Sequence, residues 1–266
     1  MGVVNVTPDS FSDGGRFFDS GAAVAHGLEL QREGAEILDI GGESTRPGAD
    51  PVPEREELRR VVPVISGLIS AGVTARISID TTKAAVAAAA LAAGATLVND
   101  VSALRADSAL AGLVADAGAD VCLMHMLGEP RTMQSDPRYG DVVAEVKAFL
   151  VQRMAFAIDR GIAEERIMLD PGIGFGKTSE HNLELLRRLK EIAAIGRPVV
   201  IGTSRKSFLG RITGREVEDR LAATIASNVI AFERGASVFR VHDVAPVRDA
   251  LMVAAAAAPQ GATLRA

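Results

Sequence analysis

Short apolar runs alternate with longer amphipathic stretches along the whole chain. The amphipathic stretches predict helices at residues 22–33, 54–71, 83–93, 108–117, 142–160, 179–195, 217–234 and 246–257. The apolar runs predict strands at residues 2–6, 36–40, 76–79, 96–98, 121–124, 167–169, 198–201 and 238–241. Most of these runs are continuous rather than alternating, which is typical of strands buried on both faces of a parallel sheet.

A glycine stands where seven of the predicted helices end. These glycines are Gly34, Gly72, Gly94, Gly118, Gly161, Gly196 and Gly235. Glycine adopts the left-handed conformation that ends a helix, so the order helix, glycine, strand repeats along the chain. Eight strand–helix units of about 33 residues each predict an α/β fold, a single (β/α)8 TIM barrel. A doubly wound open sheet is the alternative architecture.

Composition narrows the class of protein. Hydrophobic residues make up 48% of the chain and charged residues 24%, which excludes a disordered or collagen-like chain. No linker or change in composition divides the sequence, so we expect residues 1–266 to form one domain. Aromatic residues are only 4%, which argues against a protein that stacks single-stranded nucleic acid on aromatic rings.

Charge and cysteine content indicate which partners and which compartment to expect. The 29 basic and 34 acidic residues give a net charge of −5, so we expect neither a nucleic acid nor an anionic membrane as partner. Cys122 is the sole cysteine, which fits a reducing compartment. No apolar run reaches the roughly 18 residues of a membrane span. A cytoplasmic protein is the expectation.

Polar residues follow nearly every predicted strand. Chemistry in a barrel of this kind collects at the carboxyl ends of the strands. Any one of these residues is unremarkable, since loops are polar, but eight successive ends would meet at one mouth. The residues are Asn5, Asp39, Asp80, Asn99, Asp100, His125, Asp170, Ser204, Arg205, Lys206, Arg240 and His242.

Two groups among these strand ends suggest a ligand. Lys206 follows the seventh strand, and Arg240 and His242 lie at the end of the eighth, where barrels commonly hold phosphate. We interpret them as a focused anion site, whereas for Arg205 alone a solvated loop is the favoured reading. On the other side, Asp80, Asn99 and Asp170 offer acceptors and an amide, which suit a ring with several N–H donors, such as a pterin or a purine.

Three loops between these elements carry further signals. Residues 7–15 and 42–48 are rich in Gly, Ser, Asp and Pro and are candidate lids, the second containing Arg46. Residues 170–178 read DPGIGFGKT and end like a nucleotide-binding P-loop. A P-loop needs glycine five positions before Gly176, where this chain has Pro171, so we reject that interpretation.

Eight segments in this order resemble the bacterial dihydropteroate synthases, which are pterin-binding barrels. They read GVVNVTPDSFSDGG, GGESTRPGA, SIDTTK, VNDVS, MHMLGEPRTMQ, LDPGIGFGKT, SRKSFLG and RVHD, and they span nearly the whole chain. The resemblance implies a transferase that joins 6-hydroxymethyl-7,8-dihydropterin pyrophosphate to 4-aminobenzoate in folate synthesis. It also implies Mg2+ as cofactor, a homodimer, and competition by sulfonamides for the aminobenzoate site.

The resemblance assigns roles to residues of this chain. The implied ligand of Mg2+ is Asn5, and the implied catalytic residues are Asp80, Arg46, Lys206, Arg240 and His242. Pterin pyrophosphate would be bound by Thr45, Asp80, Asn99, Asp170, Lys206, Arg240 and His242. The implied aminobenzoate site consists of Thr45, Arg46, Pro47, Phe175 and Ser207.

Other functions stay open at this stage. A pterin-barrel methyltransferase acting from methyltetrahydrofolate on a corrinoid would share the pterin residues but would not need the cation cluster. An aldolase would use Lys206 as a Schiff-base lysine. A non-catalytic pterin-binding paralogue should have lost at least one of Asn5, Arg46, Asp80 or Lys206, and all four are present.

Overall fold

Eight parallel strands form the centre of the molecule. The structure is a computed structural model that describes residues 1–7, 19–44, 48–129 and 131–258. The strands are β1 (Gly2–Asn5), β2 (Ile37–Gly41), β3 (Arg76–Asp80), β4 (Leu97–Asp100), β5 (Asp120–Met124), β6 (Ile167–Asp170), β7 (Val200–Ile201) and β8 (Val238–Phe239).

The strands close into a ring in sequence order. Strands β1 to β6 pair as consecutive parallel neighbours, and β7 pairs with β8. Parallel bridges join Leu169 to Val199 and Gly2 to Val241, and thus connect β6 to β7 and β8 back to β1. The N–H of Val3 also donates to the carbonyl of Val241 at 3.0 Å. The predicted (β/α)8 barrel is therefore confirmed, and the doubly wound sheet is excluded.

Helices cover the outside of the ring. They are α1 (Ser20–Arg32), α2 (Glu54–Ser70), α3 (Ala84–Ala92), α4 (Leu110–Ala117), α5 (Val142–Asp159), α6 (Ser179–Arg187), α7 (Leu189–Ala193), α8 (Ser207–Thr213), α9 (Leu221–Glu233) and α10 (Val244–Ala257). None of the helices within the described ranges is long and apolar enough to cross a membrane.

Two helix predictions need correction, and one helix was missed. The segment 179–195 is broken between α6 and α7, because Arg188 has φ −107° and ψ 21°, outside helical values. The segment 217–234 begins as a 3-10 turn, and α9 starts only after Arg220, which donates from its guanidinium to the carbonyl of Arg205 at 3.0 Å. The short helix α8 was not predicted.

The glycine signal is confirmed. All seven helix-ending glycines have positive φ, from 57° at Gly118 to 117° at Gly94. At Gly196 an added Cβ would meet no atom within 4 Å, so backbone conformation rather than space requires glycine there.

Side chains that alternate along the strands fill the barrel. A buried apolar cluster inside it consists of Ile37, Leu97, Cys122, Met168 and Val200, which come from five different strands. A much larger cluster packs the outward strand side chains against the helices. Because side chains two residues apart share a face of a strand, the residue two positions after each inward one also faces the barrel interior.

Candidate active site

Strand alternation places the polar side chains at the carboxyl end of the barrel. Asn99 lies two residues after Leu97, Met124 two after Cys122, and Asp170 two after Met168. They line a cavity, which we call the mouth cavity. Its lining residues are Asp80, Asn99, Val101, Met124, Asp170, Phe175, Gly202, Ser204, Lys206, Arg240 and His242.

Arg240 is held between two carboxylates in this cavity. Its Nε donates to Oδ2 of Asp39 at 2.6 Å, and one terminal nitrogen donates to Oδ2 of Asp80 at 2.8 Å. Asp39 is completely buried, and its Oδ1 has no hydrogen-bond partner among the described residues. Oδ2 of Asp39 also accepts from the side-chain amide of Asn99 at 3.1 Å. Asp39 therefore fixes the positions of Asn99 and Arg240.

Burial and like charge decide the protonation of Asp80. Burial raises the pKa of Asp80 to about 7, and although Arg240 opposes this rise, Asp39 and Glu57 add to it. Burial lowers the pKa of Arg240, but Asp39 and Asp80 outweigh it and raise that pKa above its ordinary value. Arg240 thus stays charged, whereas Asp80 can take up a proton near neutral pH.

Asn99 and Asp170 have hydrogen-bonding atoms to spare. Oδ1 of Asp170 accepts from the backbone N–H of Gly172 at 2.7 Å, and its Oδ2 has no partner in the part of the chain that the structure describes. Burial raises the pKa of Asp170, while that hydrogen bond and the charge of Lys206 lower it. Asn99 uses one amide hydrogen on Asp39 and keeps its side-chain oxygen as an acceptor.

Lys206 faces Asp170 from the start of α8. Its Nζ donates to the carbonyl of Ile173 and lies 4.3 Å from the centre of the Phe175 ring, a cation–π contact. Burial lowers the pKa of Lys206 to about 8, although the charge of Asp170 opposes this shift. Lys206 is therefore a cation at neutral pH that loses its proton in mildly alkaline solution.

Ser204 and His242 complete the cation side of the mouth cavity. The hydroxyl of Ser204 lies 2.9 Å from Nδ1 of His242 and accepts from the backbone N–H of His242 at 3.2 Å. Arg205 is engaged elsewhere, because its guanidinium makes two hydrogen bonds to the carboxylate of Asp243, at 3.0 and 2.6 Å. Of the two neighbouring cations, Lys206 therefore faces the cavity and Arg205 does not.

The structure brings together most of the residues that the sequence singled out. Asp80, Asn99, Asp170, Phe175, Lys206, Arg240 and His242 all line the mouth cavity. Ser207 is exposed at the first turn of α8, and its hydroxyl accepts from Arg211 at 3.3 Å. Thr45, Arg46 and Pro47, like most of the first candidate lid, lie outside the described residues.

Two features of the site were missed at the sequence level. Asp39 was noted only as a strand end, although its place two residues after Ile37 is the signal that it faces the barrel interior. Lys177 and His125 form a buried contact, with Nζ of Lys177 2.9 Å from Nδ1 of His125. They are 52 residues apart, so no local pattern could connect them.

The oxygen ligands near the mouth fit a cation that is held mainly by substrate. The described residues include no group of three or more His, Cys, Asp or Glu side chains arranged for a metal. Asn5, half-buried at the end of β1, offers one amide oxygen. Mg2+ keeps several waters and is commonly bound through one or two protein ligands together with substrate phosphates, which this donor set allows.

Comparisons with known proteins identify the family of this chain. A family model described as pterin binding enzyme matches residues 1–242. A dihydropteroate synthase of Haemophilus influenzae is 46% identical over 253 residues, which cover 95% of this chain and 91% of that protein. The structure of Xanthomonas albilineans dihydropteroate synthase with 4-aminobenzoic acid superposes with a TM-score of 0.90 at 52% identity, covering 97% of this chain and 93% of the other. Its complex with 7,8-dihydropteroate gives 0.86 at 48% identity over the same shares. The chain belongs to the dihydropteroate synthases, within the family of pterin-binding enzymes.

Proposed function

We propose that this protein joins 6-hydroxymethyl-7,8-dihydropterin pyrophosphate to 4-aminobenzoate and forms 7,8-dihydropteroate and pyrophosphate. The observation that carries the proposal is the mouth cavity, in which Asp170, Asn99 and Lys206 converge with spare acceptors and a cation. The similar Xanthomonas structures contain 4-aminobenzoic acid and 7,8-dihydropteroate, a substrate and the product of this reaction.

The pterin ring would be recognised by its edge of N–H donors. Oδ2 of Asp170 is available to accept from that edge, and the amide oxygen of Asn99 adds a second acceptor. Lys206 would donate to the ring carbonyl or to a ring nitrogen. A competitor without those donors would leave each buried group unpaired, at a cost of about 1–3 kcal/mol apiece.

The reaction breaks the C–O bond before the new bond forms. The bonding electrons leave with the pyrophosphate oxygen, and the methylene carbon becomes a cation that the pterin ring stabilises. The amine of 4-aminobenzoate then attacks this carbon and loses one proton. This amine is already nucleophilic, so the reaction does not need a strong general base.

Two charges develop during this step, and the mouth cavity offers a partner for each. Arg240 and His242 line the cavity and would face the departing pyrophosphate, and Arg46 of the second loop would add a further cation. Asp80, when ionised, would stabilise the cationic methylene carbon. Closed loops would keep out water, which otherwise attacks this carbon in place of the amine.

Mg2+ is the proposed cofactor, with Asn5 as its protein ligand. When bound, the ion would neutralise charge on the departing pyrophosphate.

We further propose that the chain is one domain and acts as a cytoplasmic homodimer. The exposed apolar side chains of Ile212 on α8 and Ile230 on α9 support an interface between two copies, and the buried thiol of Cys122 suits a reducing compartment.

Pyrophosphate release tests the proposed function. The purified protein is incubated with the pterin pyrophosphate, with and without 4-aminobenzoate and Mg2+, and both pyrophosphate and dihydropteroate are measured. We expect the two products in equal amounts and only when all three components are present. Pterin binding without any release would identify a non-catalytic paralogue, and methyl transfer from methyltetrahydrofolate to a corrinoid would identify the methyltransferase.

A further inference from the structure

Lys177 is a buried lysine that the proposed reaction does not use. Its side chain comes from the segment that ends like a P-loop, yet the residue is only 2% exposed. Its Nζ lies 2.9 Å from Nδ1 of His125 and donates to the carbonyls of Phe175 at 3.0 Å and His125 at 3.5 Å. Burial lowers the pKa of Lys177 well below its ordinary value, but a neutral amine still has two N–H donors, enough for Nδ1 of His125 and the carbonyl of Phe175.

The acceptor on His125 stays available because this histidine remains neutral. Burial and the charge of Lys177 lower the pKa of His125 to about 2. Its ring and that of Phe149 pack in a T-shaped arrangement, with 4.8 Å between ring centres. A neutral imidazole with its proton on Nε2 presents Nδ1 as an acceptor, which matches the contact with Lys177.

Lys177 ends a loop that side chains from other elements help to hold in place. This β6 loop, residues 171–177, contains Gly172, Gly174 and Gly176, with φ of 67°, 83° and 64°. One backbone hydrogen bond lies within the loop, from the N–H of Phe175 to the carbonyl of Gly172 at 3.1 Å, and side chains add further support. Oδ1 of Asn182 accepts from the N–H of Gly174 at 2.8 Å, and the hydroxyl of Tyr139 donates to the carbonyl of Gly176 at 2.9 Å.

The β6 loop also forms one wall of the mouth cavity. The carbonyl of Ile173 accepts from Nζ of Lys206, and the ring of Phe175 lies over the same Nζ. Lys177 holds the carbonyl of Phe175, so it connects the position of this wall to His125 at the end of β5. A shift of the loop would move the ring of Phe175 and at the same time expose Lys206 to water.

We propose that Lys177 is a positioning residue, which fastens Phe175 to His125 and so keeps the aromatic wall of the aminobenzoate site against Lys206. The inference rests on the proposed function, since it assigns Phe175 to the side that receives 4-aminobenzoate. The Nζ of Lys177, in the P-loop-like segment, therefore points into the protein and is not available to bind a phosphate.

The substitution Lys177→Met tests this role, because it keeps the length of the side chain and removes its donors. We expect KM for 4-aminobenzoate to rise about 10- to 100-fold, as a displaced ring loses its orientation, and the affinity for pterin pyrophosphate to change much less. The alkaline limb of the pH profile should also move to higher pH, because burial lowers the pKa of Lys206 to about 8 and a displaced Phe175 would open Lys206 to water.

Lys190→Met is the matched control, since Lys190 is exposed on α7, and it should leave both KM values and the pH profile unchanged. A folded Lys177→Met protein with wild-type values for both substrates and an unshifted profile would overturn the inference. Equal losses for both substrates would also overturn it, since they indicate a general structural defect. The proposed function is tested separately, by measuring turnover of the wild-type protein.

Nitrogen NMR of the wild-type protein tests the same contact without a substitution. We expect His125 to keep its proton on Nε2, with Nδ1 unprotonated, throughout the range from about pH 5 to pH 9. A proton on Nδ1, or a titration of His125 near the ordinary value of 6.5, would show that Lys177 does not donate to it and would overturn the proposal.

Discussion

Replacing Asp39 with asparagine removes one of the two carboxylates that hold Arg240. Asp39 is 0% exposed and accepts from Arg240 at 2.6 Å and from Asn99 at 3.1 Å. Asparagine has nearly the same shape and can still accept one hydrogen bond from each neighbour. The substitution therefore tests the charge of the pair rather than the packing around it.

The structure contains a matched pair for comparison. Arg205 and Asp243 also share two hydrogen bonds, but their side chains are 38% and 23% exposed. Breaking a buried ion pair by removing one partner costs about 3–5 kcal/mol, and Arg240 keeps Asp80, so we expect the lower end of that range for Asp39→Asn. Exposed pairs are worth about 1 kcal/mol or less, so Asp243→Asn should cost no more than that.

The same substitution changes the pH dependence of stability through Asp80. Burial raises the folded-state pKa of Asp80 to about 7 from 3.8, so the folded protein binds this proton more tightly than the unfolded chain. The stability that this proton contributes is full below pH 3.8 and is lost as pH rises through about 7. The charge of Asp39 adds to the rise, so in Asp39→Asn the loss should occur at lower pH.

Urea unfolding of the wild-type protein and both variants, at several pH values between 4 and 8, measures these effects. The reasoning predicts a large difference in unfolding free energy for Asp39→Asn and a small one for Asp243→Asn. Equal costs for the two substitutions would refute it, as would an Asp39→Asn protein whose stability varies with pH like that of the wild type.

Three further predictions concern the loops and Lys206. The pKa of Lys206 is lowered to about 8, so kcat/KM for pterin pyrophosphate should fall as pH rises above that value; a profile that stays flat well beyond it would contradict the assigned role. Gly172→Ala should destabilise the protein by several kcal/mol and disrupt the site, because its Cβ would lie 1.9 Å from the carbonyl oxygen of His125. Gly196→Ala, with positive φ but open space, should cost about 1 kcal/mol, and similar thermal unfolding of the two variants would argue against this difference. Arg46→Ala should lower turnover in steady-state assays far more than pterin affinity in calorimetry, and a pure loss of affinity would refute its action on the departing charge.

The strand order and the mouth residues were accessible from the sequence because both follow from local patterns. Glycine after a helix and a continuous apolar run each reflect the conformation of a few neighbouring residues. The end of a buried strand then predicts where Asp80, Asn99 and Asp170 point. The ends of β3, β4 and β6 were placed one or two residues too early, since Asp80, Asn99 and Asp170 themselves belong to these strands.

What the sequence could not supply depends on contacts between distant segments. The apolar spacing of Leu185, Leu189 and Ile192 continues across the break at Arg188, so the pattern gives no sign of it. Helix α8 has only seven residues, too few for a clear helical period. The contacts of Lys177 with His125, and of Arg240 with Asp39, join residues far apart in the chain.

Calorimetric titration with the pterin pyrophosphate in the presence of Mg2+ tests most directly whether the mouth cavity is the substrate site. The wild-type protein, Asp170→Ala, Lys206→Ala and the exposed-lysine control Lys190→Ala are compared, each after its fold has been checked by circular dichroism. We expect saturable binding by the wild type and the control, and no detectable binding by the two cavity variants. Unchanged affinity in both cavity variants would contradict the site described above.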